Sequence, residues 1–579
     1  MNRKQRRAAI KQSPPGVGRR LPESEQLFAE AMRSQQQNQL PEAARLYKRL
    51  LALKPGHAEA HNSFGRVLHA QGKLNEASAH FAQALSLMPQ LFDQFSGVCA
   101  TLVAVLPPVG DAMRRASAAW PTRLTVDQLL GSAGLAAIAA DPLLLCLLQS
   151  TPVREVALER LLTALRLALL DAAADGGPAS EAVLAFCCAL AKQCFINEYV
   201  FATTPAEDAQ LERLKAALAR ALAAGAAIAP ISLAAIAMYQ PLHELPEAPA
   251  LLEQTWPPVV DDVLTQQLRE PSQERALRAS IPRLTPIEDD VSQQVRQQYE
   301  ENPYPRWVHC SGGVEPISID RYLRDMSPNA AFTPLAKTEA LDVLVAGCGT
   351  GWHTTAIAQR YQDTRVLAVD LSLSSLCYAK RKTLAPLGER ISYAQGDILK
   401  LGTIGRSFDV VDAGGVLHHM SDPQAGWRIL LDLLRPGGFM HVGLYSELGR
   451  RDVVAARAFI AERGYASTAA DIRRCRQDLL ETPLRSVARF HDFFSTSECR
   501  DLLFHVQESR MTIADIKAFI AGHGLKFIGF EFDQAVLQQY RALFAQNGWS
   551  MSDLDRWHAV ETKYPDTFSG MNQLWLQKM

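Results

Sequence analysis

Length, composition and charge exclude several classes of protein. The chain has 579 residues, of which 48% are hydrophobic and 21% charged, so it can bury several cores and is not disordered throughout. Its 60 Lys and Arg residues are balanced by 61 Asp and Glu residues, which leaves a net charge of −1. Without a chain-wide basic field, we expect no binding to DNA.

The cysteines and the apolar segments narrow the class further. The ten cysteines include no Cys-x-x-Cys motif, and most lie in apolar segments. We therefore expect no metal site and a reducing, cytoplasmic environment. The longest uncharged run, residues 221–242, is mostly alanine and is interrupted by Gly225 and Pro230, so we expect no membrane span.

The first 20 residues contain seven Lys or Arg residues and no acid. No apolar stretch follows that would form the core of a signal peptide. Residues 1–23 are therefore expected to be a disordered basic tail. An arm that binds nucleic acid or a membrane surface is the alternative.

Residues 24–57 and 58–91 resemble one another at an offset of 34 residues. The matching pairs are Ala31 and Gly65, Ala43 and Ala77, Tyr47 and Phe81, Leu50 and Ala84, and Pro55 and Pro89. Small residues let two antiparallel helices approach, the aromatic residue fills the gap between them, and proline ends the second helix. This tetratricopeptide pattern predicts two repeats over residues 24–93, with a generic helical hairpin as the alternative. Two repeats do not bury a continuous core, so they need further helices beside them.

Residues 94–282 are rich in Ala and Leu at helical spacing. Thr125 and Gln128 have the spacing of a capping box, and residues 160–170 and 212–222 repeat the period of 3.6. We expect an all-helical region that extends or caps the repeats. Residues 283–334 are expected to connect this region to the next domain and to cover its pocket.

A mononucleotide-binding unit begins at Leu341. A short apolar strand, residues 341–346, precedes a turn with Gly347, Gly349 and Gly351, and a helical stretch follows. A second strand ends in Asp370, 19 residues after Gly351. Such glycines let the backbone approach a ligand, and the acid can accept hydrogen bonds from ribose hydroxyls.

The glycine spacing distinguishes between possible nucleotides. A dinucleotide fingerprint requires a small residue where this chain has Trp352 or Thr354, so an NAD-dependent oxidoreductase is disfavoured. The Gly-x-Gly-x-Gly turn instead resembles the first motif of class I S-adenosylmethionine-dependent methyltransferases. Three later segments resemble the same family in the same order: Gly396-Asp397-Ile398, residues 408–419, and Leu434-Arg435-Pro436-Gly437-Gly438.

The resemblance implies a Rossmann-like domain with a mostly parallel seven-stranded sheet over residues 335–579. It implies S-adenosyl-L-methionine as the cofactor, held by a set that comprises Gly347, Gly349, Gly351, Asp370, Leu371, Asp397, Ile398 and Gly414. Many family members carry an acid two residues before the first glycine, close to the methionyl amino group. Here that residue is Val345, which implies weaker cofactor binding or an acid from another segment.

The whole chain also resembles bacterial proteins that join tetratricopeptide repeats to a class I methyltransferase domain, through residues 298–307 and 443–447. That group has no settled substrate. The chain lacks the Asn/Asp-Pro-Pro-Tyr motif of base methyltransferases after the fourth strand. It also lacks the paired glutamates of protein arginine methyltransferases there.

Candidate substrate residues follow the fourth and fifth strands. His418 and His419 begin a loop at the methyl end of the cofactor site, and either is a candidate general base, with a structural role as the alternative. A histidine base would give the pH profile a rising limb near 6–7. We expect Tyr304, Tyr445 and Glu447 in the pocket wall, and a helical insertion at about residues 448–524 as a lid. Residues 574–577 are the best candidate for an antiparallel last strand beside the fifth.

The sequence therefore predicts an N-terminal helical solenoid followed by a class I methyltransferase domain. We expect an enzyme that methylates an O or N atom, with a repeat arm that docks a protein partner or a large substrate. The alternative is a non-catalytic scaffold that senses the cofactor.

Overall fold

The structure is a computed structural model that describes residues 22–88, 91, 96–105, 108–176, 179–310, 315–337, 339–383, 387–532, 534–544 and 551–579. The predicted tail, residues 1–23, lies almost wholly outside the described residues. The chain divides into two compact units, residues 1–106 and 107–579. No helix in the described ranges is long and apolar enough to cross a membrane.

The first unit contains antiparallel helix pairs with the spacing that the repeat predicts. Its helices are α1 (Glu23–Gln36), α2 (Leu40–Leu53), α3 (Ala58–Ala70), α4 (Leu74–Leu87) and α5 (Ser96–Val105). Ala43, Tyr47, Ala77 and Phe81 are fully buried between them. A Cβ atom on Gly65 would lie 3.0 Å from the Phe81 ring, so this close helix packing requires a small residue. The tetratricopeptide interpretation is confirmed in the described part of the unit, while Pro89 falls outside it.

The second unit begins with a helical region. Its helices before the sheet are α6 (Val109–Ala119), α7 (Val126–Leu130), α8 (Ala136–Ala139), α9 (Pro142–Ser150), α10 (Val156–Ala174), α11 (Glu181–Ile196), α12 (Pro205–Ala223), α13 (Pro230–Ala237), α14 (Ala248–Leu252), α15 (Pro258–Leu264), α16 (Glu270–Leu277), α17 (Asp290–Glu301) and α18 (Ile319–Met326). The Thr125 hydroxyl accepts a hydrogen bond from the Gln128 amide, and the Gln128 side chain accepts one from the Thr125 amide. The predicted capping box therefore starts α7.

A twisted sheet with helices on both faces follows. The strands are β1 (Leu341–Ala346), β2 (Thr364–Asp370), β3 (Ile391–Gln395), β4 (Phe408–Gly414), β5 (Leu434–Leu444), β6 (Leu525–Phe530) and β7 (Asn572–Lys578). Their order is β3-β2-β1-β4-β5-β7-β6. The first five are parallel, and β7 lies antiparallel between β5 and β6. The predicted last strand is therefore confirmed. Strand order reverses between β1 and β4, which places a ligand-binding crevice at their carboxyl ends.

The remaining helices surround this sheet. They are α19 (Trp352–Arg360), α20 (Leu373–Lys382), α21 (Pro423–Asp432), α22 (Arg451–Arg463), α23 (Ala469–Leu480), α24 (Thr496–Phe504), α25 (Ile513–Gly522), α26 (Gln534–Phe544) and α27 (Leu554–Lys563). Helices α22 to α25 lie between β5 and β6. A capping box of Thr512 and Asp515 starts α25.

The insertion after β5 packs against the helical region through buried polar contacts. The Arg476 guanidinium in α23 bonds both carboxylate oxygens of Glu159 in α10, at 2.8 and 3.1 Å. Arg306 pairs with Glu198, whose carboxylate also accepts from the Ser497 amide in α24. The second unit therefore holds its helical region and its sheet domain together as one body.

Candidate active site

One cavity, with a volume of about 340 Å³, opens at the carboxyl ends of β1, β2 and β4. The glycine turn, Asp370 and Asp397 line it, as do His418 and His419. Most of the surface that lines the cavity is apolar, as is typical of small-molecule sites. The fold thus brings the predicted cofactor residues other than Gly351 and the two predicted histidines to the same cavity.

Three glycines of the turn between β1 and α19 are required by close contacts. Gly347 has φ +74° and Gly349 has φ +51°, a conformation that L side chains rarely adopt. A Cβ atom at Gly347 would lie 2.4 Å from Val416, and one at Gly349 would lie 2.7 Å from the Tyr304 carbonyl. Gly351, with φ +81°, is required in the same way, because a Cβ atom there would lie 2.6 Å from Ala379, but it is not among the residues that line the cavity.

Asp370 ends β2 and holds the glycine turn in place. Its two carboxylate oxygens accept from the amides of Gly349 and Ser372, both at 2.8 Å. Burial raises the pKa of Asp370 to about 6, although both backbone hydrogen bonds oppose the shift. Each oxygen retains acceptor capacity on the cavity side, which suits the two hydroxyls of a ribose. Leu371 lines the cavity beside it.

Asp397 supplies an unsatisfied acceptor at the same end of the cavity. Its Oδ1 accepts from the Leu399 amide at 3.0 Å, whereas its Oδ2 is buried and forms no hydrogen bond of good geometry with the described residues, although the Ser292 side chain lies close enough to favour the ionised carboxylate. Leaving such an oxygen buried is unfavourable unless a ligand donates to it. An adenine amino group is a donor of this kind, with Ile398 beside it in the lining. The residues present therefore fit an adenosine ligand.

His418 presents an unpartnered nitrogen at the other end. Its Nδ1 is buried and has no hydrogen-bond partner in the part of the chain described. Burial lowers the pKa of His418 well below its usual value, and the nearby rings and Arg450 lower it further. The Gly443 backbone favours the charged form of the ring but does not offset the effect of burial on its pKa. In the neutral tautomer with the proton on Nε2, Nδ1 is a proton acceptor.

The His418 ring is held in place by its neighbours. It stacks on Tyr445 with ring centroids 3.7 Å apart, and the Arg450 guanidinium covers Tyr445 at 3.8 Å. Arg450 is itself paired with Glu508 at 2.6 Å in the interior. The ring orientation is therefore fixed before any substrate arrives.

His419 belongs to a polar network with residues that the sequence did not single out. Its Nδ1 donates to the Gln507 carbonyl at 3.0 Å, so its unprotonated Nε2 faces Asp501 Oδ1 at 3.7 Å. The Tyr299 hydroxyl donates to the same oxygen at 2.5 Å. Burial lowers the pKa of His419 to about 4 and raises that of Asp501 to about 6. Asp501 and His419 both line the cavity.

This network is arranged for hydrogen bonding rather than for a metal ion, although His419, Asp501 and His505 lie close enough to share one. His505 accepts the Gln507 amide at Nδ1, so its proton is on Nε2, 3.2 Å from the Tyr299 hydroxyl. A metal-bound histidine normally donates from its second nitrogen. The two imidazole rings also stack at 3.6 Å and 18°, so their lone pairs do not converge.

A second cluster joins β4 and β5 to the first turn of α19. His441 donates from Nδ1 to Asp412 at 2.9 Å, and His353 Nδ1 lies 3.3 Å from the same carboxylate. Burial opposes ionisation, but the two imidazoles outweigh it and lower the pKa of Asp412 to about 2. These three residues also lie close enough to share a metal ion. Asp412 and His353 line the cavity.

The remaining predicted substrate residues divide into two groups. Tyr304 and Tyr445 line the cavity, and the Tyr304 hydroxyl is 3.2 Å from Asp492. Glu447 is not part of this lining, because its carboxylate is half exposed and pairs with Arg510 at 3.1 Å. Gly414, a predicted cofactor residue, also lines the cavity.

Asp501, His505 and Asp412 were missed by the sequence analysis, although each leaves a faint signal. Asp412 interrupts an otherwise apolar strand. Asp501 and His505 are four residues apart at the end of a helix, which places them on one helix face.

Comparison with known proteins agrees with this architecture. Residues 343–438 match the family model described as a methyltransferase domain, and residues 34–101 match that of the tetratricopeptide repeat. The chain therefore joins a tetratricopeptide region to a domain of the class I methyltransferase type.

Several curated proteins are similar to the chain over part of its length. An uncharacterized protein of Synechococcus sp. is 30% identical over 199 residues, 32% of this chain and 48% of that protein. A malonyl-[acyl-carrier protein] O-methyltransferase of Halalkalibacterium halodurans is 30% identical over 20% of this chain and 41% of its own. A trans-aconitate 2-methyltransferase of Deinococcus radiodurans is 35% identical over 17% and 36%, respectively. The chain thus spans less than half the length of each of these relatives.

Proposed function

We propose that the protein is an S-adenosylmethionine-dependent methyltransferase that modifies an O or N atom of its acceptor. The observation that carries the proposal is that one cavity is lined by the glycine turn, Asp370 and Asp397 and also by His418, whose buried Nδ1 has no hydrogen-bond partner among the described residues. The methyltransferase-domain match over residues 343–438 supports it.

The chain's own residues account for binding of the adenosine part. The turn at Gly347 and Gly349 gives the ligand access to the backbone, Asp370 accepts from the ribose, and Asp397 Oδ2 accepts from the adenine amino group. When bound, S-adenosyl-L-methionine supplies an electrophilic methyl group on a sulfonium. The protein must then exclude water, align the acceptor and take up its proton.

His418 is the proposed general base. Its Nδ1 is neutral at pH 7 because burial keeps its pKa low, and stacking on Tyr445 fixes its direction. His419 and Asp501 form a second proton-accepting pair, since no proton lies between His419 Nε2 and Asp501 Oδ1 in the tautomers that their partners impose. Asp501 comes from the insertion, which therefore supplies part of the acceptor pocket.

The tetratricopeptide region is proposed to dock a protein partner or a large substrate. Its repeat match and its helix pairs support this role, which is common for such repeats. A cytoplasmic location is part of the same proposal and rests on the reduced cysteines expected from the sequence.

Two measurements test the function. Calorimetry should show binding of S-adenosylhomocysteine and not of NAD. Incubation of the protein with a labelled methyl donor and fractionated lysate should then place label in one fraction and release S-adenosylhomocysteine. The His418→Gln variant should bind S-adenosylhomocysteine normally and transfer little label.

Other outcomes would favour the competing assignments. Binding without any transfer by the wild-type protein would favour the cofactor-sensing scaffold. Binding of NAD alone would overturn the methyltransferase assignment.

A further inference from the structure

A row of polar side chains crosses the sheet beside the glycine turn. Val345 on β1 pairs with Asp412 on β4, Asp412 pairs with His441 on β5, and His441 pairs with Trp575 on β7. Residues paired in register point to the same face of a sheet. The Asp412 carboxylate therefore stands one strand away from the Val345 side chain, about 4.8 Å across the sheet.

Asp412 is the acidic residue that lines this part of the cavity. Both Val345 and Asp412 line the cavity, but only Asp412 carries charge. Asp412 is 2% exposed, and its oxygens accept from the Gly414 amide at 3.2 Å and from His441 at 2.9 Å. His353 Nδ1 lies 3.3 Å from Oδ1, and even if this contact occupies a third of the about four acceptor positions of a carboxylate, one remains.

A residue larger than glycine at position 414 would crowd this carboxylate and its two histidine neighbours. A Cβ atom on Gly414 would lie 3.2 Å from both His353 and His441, and 3.4 Å from Asp412 Oδ1. A buried carboxylate with a free acceptor position, facing a ligand cavity, is a site for a primary ammonium group.

We propose that Asp412 binds the α-ammonium group of the methionyl part of the cofactor, in place of an acid at position 345. This inference rests on the proposed function, because it assumes a ligand that carries an amino acid moiety. Asp412 acts as a binding residue, while His353 and His441 position its carboxylate.

Two ligands distinguish a binding role of Asp412 from a purely structural role. S-adenosylhomocysteine carries the amino acid moiety, whereas 5′-methylthioadenosine has the adenosine part without it. The Asp412→Asn variant should bind S-adenosylhomocysteine at least tenfold more weakly and 5′-methylthioadenosine within twofold of the wild type. The double variant Val345→Asp/Asp412→Asn restores an acid one strand away and should recover most of the lost affinity.

Asp409→Asn is the matched control, since Asp409 lies on the same strand, pairs with Lys337 and Arg435, and does not line the cavity. It should leave both affinities unchanged. An equal loss of both ligands in Asp412→Asn, or no loss of either, would overturn the proposal. If that variant does not fold, the wild-type protein still provides a test, because it should bind an S-adenosylhomocysteine analogue that lacks the α-amino group at least tenfold more weakly than the parent. Equal binding of the analogue would overturn the proposal. Failure of the wild type to bind any adenosine ligand would instead contradict the proposed function.

Discussion

At the scale of single residues, the site depends on buried groups whose charge is set by their surroundings. His418 and His419 are both neutral at pH 7, because burial lowers the pKa of each, that of His419 to about 4. If either ring is the base, we therefore expect the rising limb of the pH profile below the pH 6–7 expected from the sequence. A group that titrates near 6 in this cavity is a carboxylate, either Asp370 or Asp501.

Replacement of His418 should separate chemistry from binding. His418→Gln is expected to reduce turnover by ~10²–10⁴-fold, because a positioned proton acceptor is lost. Affinity for S-adenosylhomocysteine should stay within about twofold, since the ring lies at the other end of the cavity from the adenosine residues. Transfer to the labelled lysate fraction measures the first quantity and calorimetry the second. Turnover at the wild-type level would assign the ring a structural role.

Asp370 should determine how cofactor affinity depends on pH. Its pKa of about 6 means that the carboxylate gains a proton as the pH falls from 7 to 5, and a protonated group is a poorer acceptor for ribose hydroxyls. Affinity for S-adenosylhomocysteine should therefore fall over this range. Asp370→Ala should weaken binding by roughly 1–3 kcal/mol at pH 7 and flatten the pH dependence. Unchanged affinity in titrations of the variant would contradict the ribose assignment.

At the scale of elements, β7 completes the sheet. It lies between β5 and β6, so its loss would leave both neighbours with unpaired backbone groups. Deletion of residues 571–579 should make the protein insoluble. Deletion of Met579 alone, which is 72% exposed, is the control and should not. Solubility of the longer deletion, with cofactor binding intact, would show that the sheet closes without β7.

The insertion contributes Asp501 to the proposed acceptor end of the cavity. The Ser509 amide donates to the His418 carbonyl at 2.7 Å, and the Met511 amide donates to that of Tyr445 at 2.9 Å. Asp501→Asn should remove the proton-accepting partner of His419 while leaving the adenosine residues untouched. We expect slower transfer with unchanged S-adenosylhomocysteine affinity, measured as for His418. A parallel loss of binding would mean that the insertion supports the cofactor end instead.

At the scale of the whole molecule, the second unit depends on a buried ion pair. Arg476 is fully buried and binds Glu159 with two hydrogen bonds, joining the insertion to the helical region. Removing one partner of such a pair leaves an uncompensated charge. Glu159→Gln should reduce the free energy of unfolding by about 3–5 kcal/mol in denaturant titrations. Lys517→Ala breaks the exposed pair with Asp555 and should change it by no more than about 0.5 kcal/mol.

The sequence by itself determined the elements whose signals are local. The 34-residue repeat, the glycine turn and the strand ending in Asp370 are contiguous patterns, because helix packing and backbone approach to a ligand depend on residues close in the chain. The antiparallel strand β7 could also be predicted. Its residues form a short apolar run late in the chain, and the fold family usually places its last strand beside β5.

Only the tertiary structure decided which side chains meet. Asp501, 82 residues after His419 in the chain, faces its ring, and Asp412 becomes the neighbour of Val345 through the register of β1 and β4. The tertiary structure also places the Glu447 carboxylate next to Arg510 and outside the cavity lining. The reason is physical: a strand pattern fixes which residues share a face, whereas the packing of distant elements fixes the distances between them.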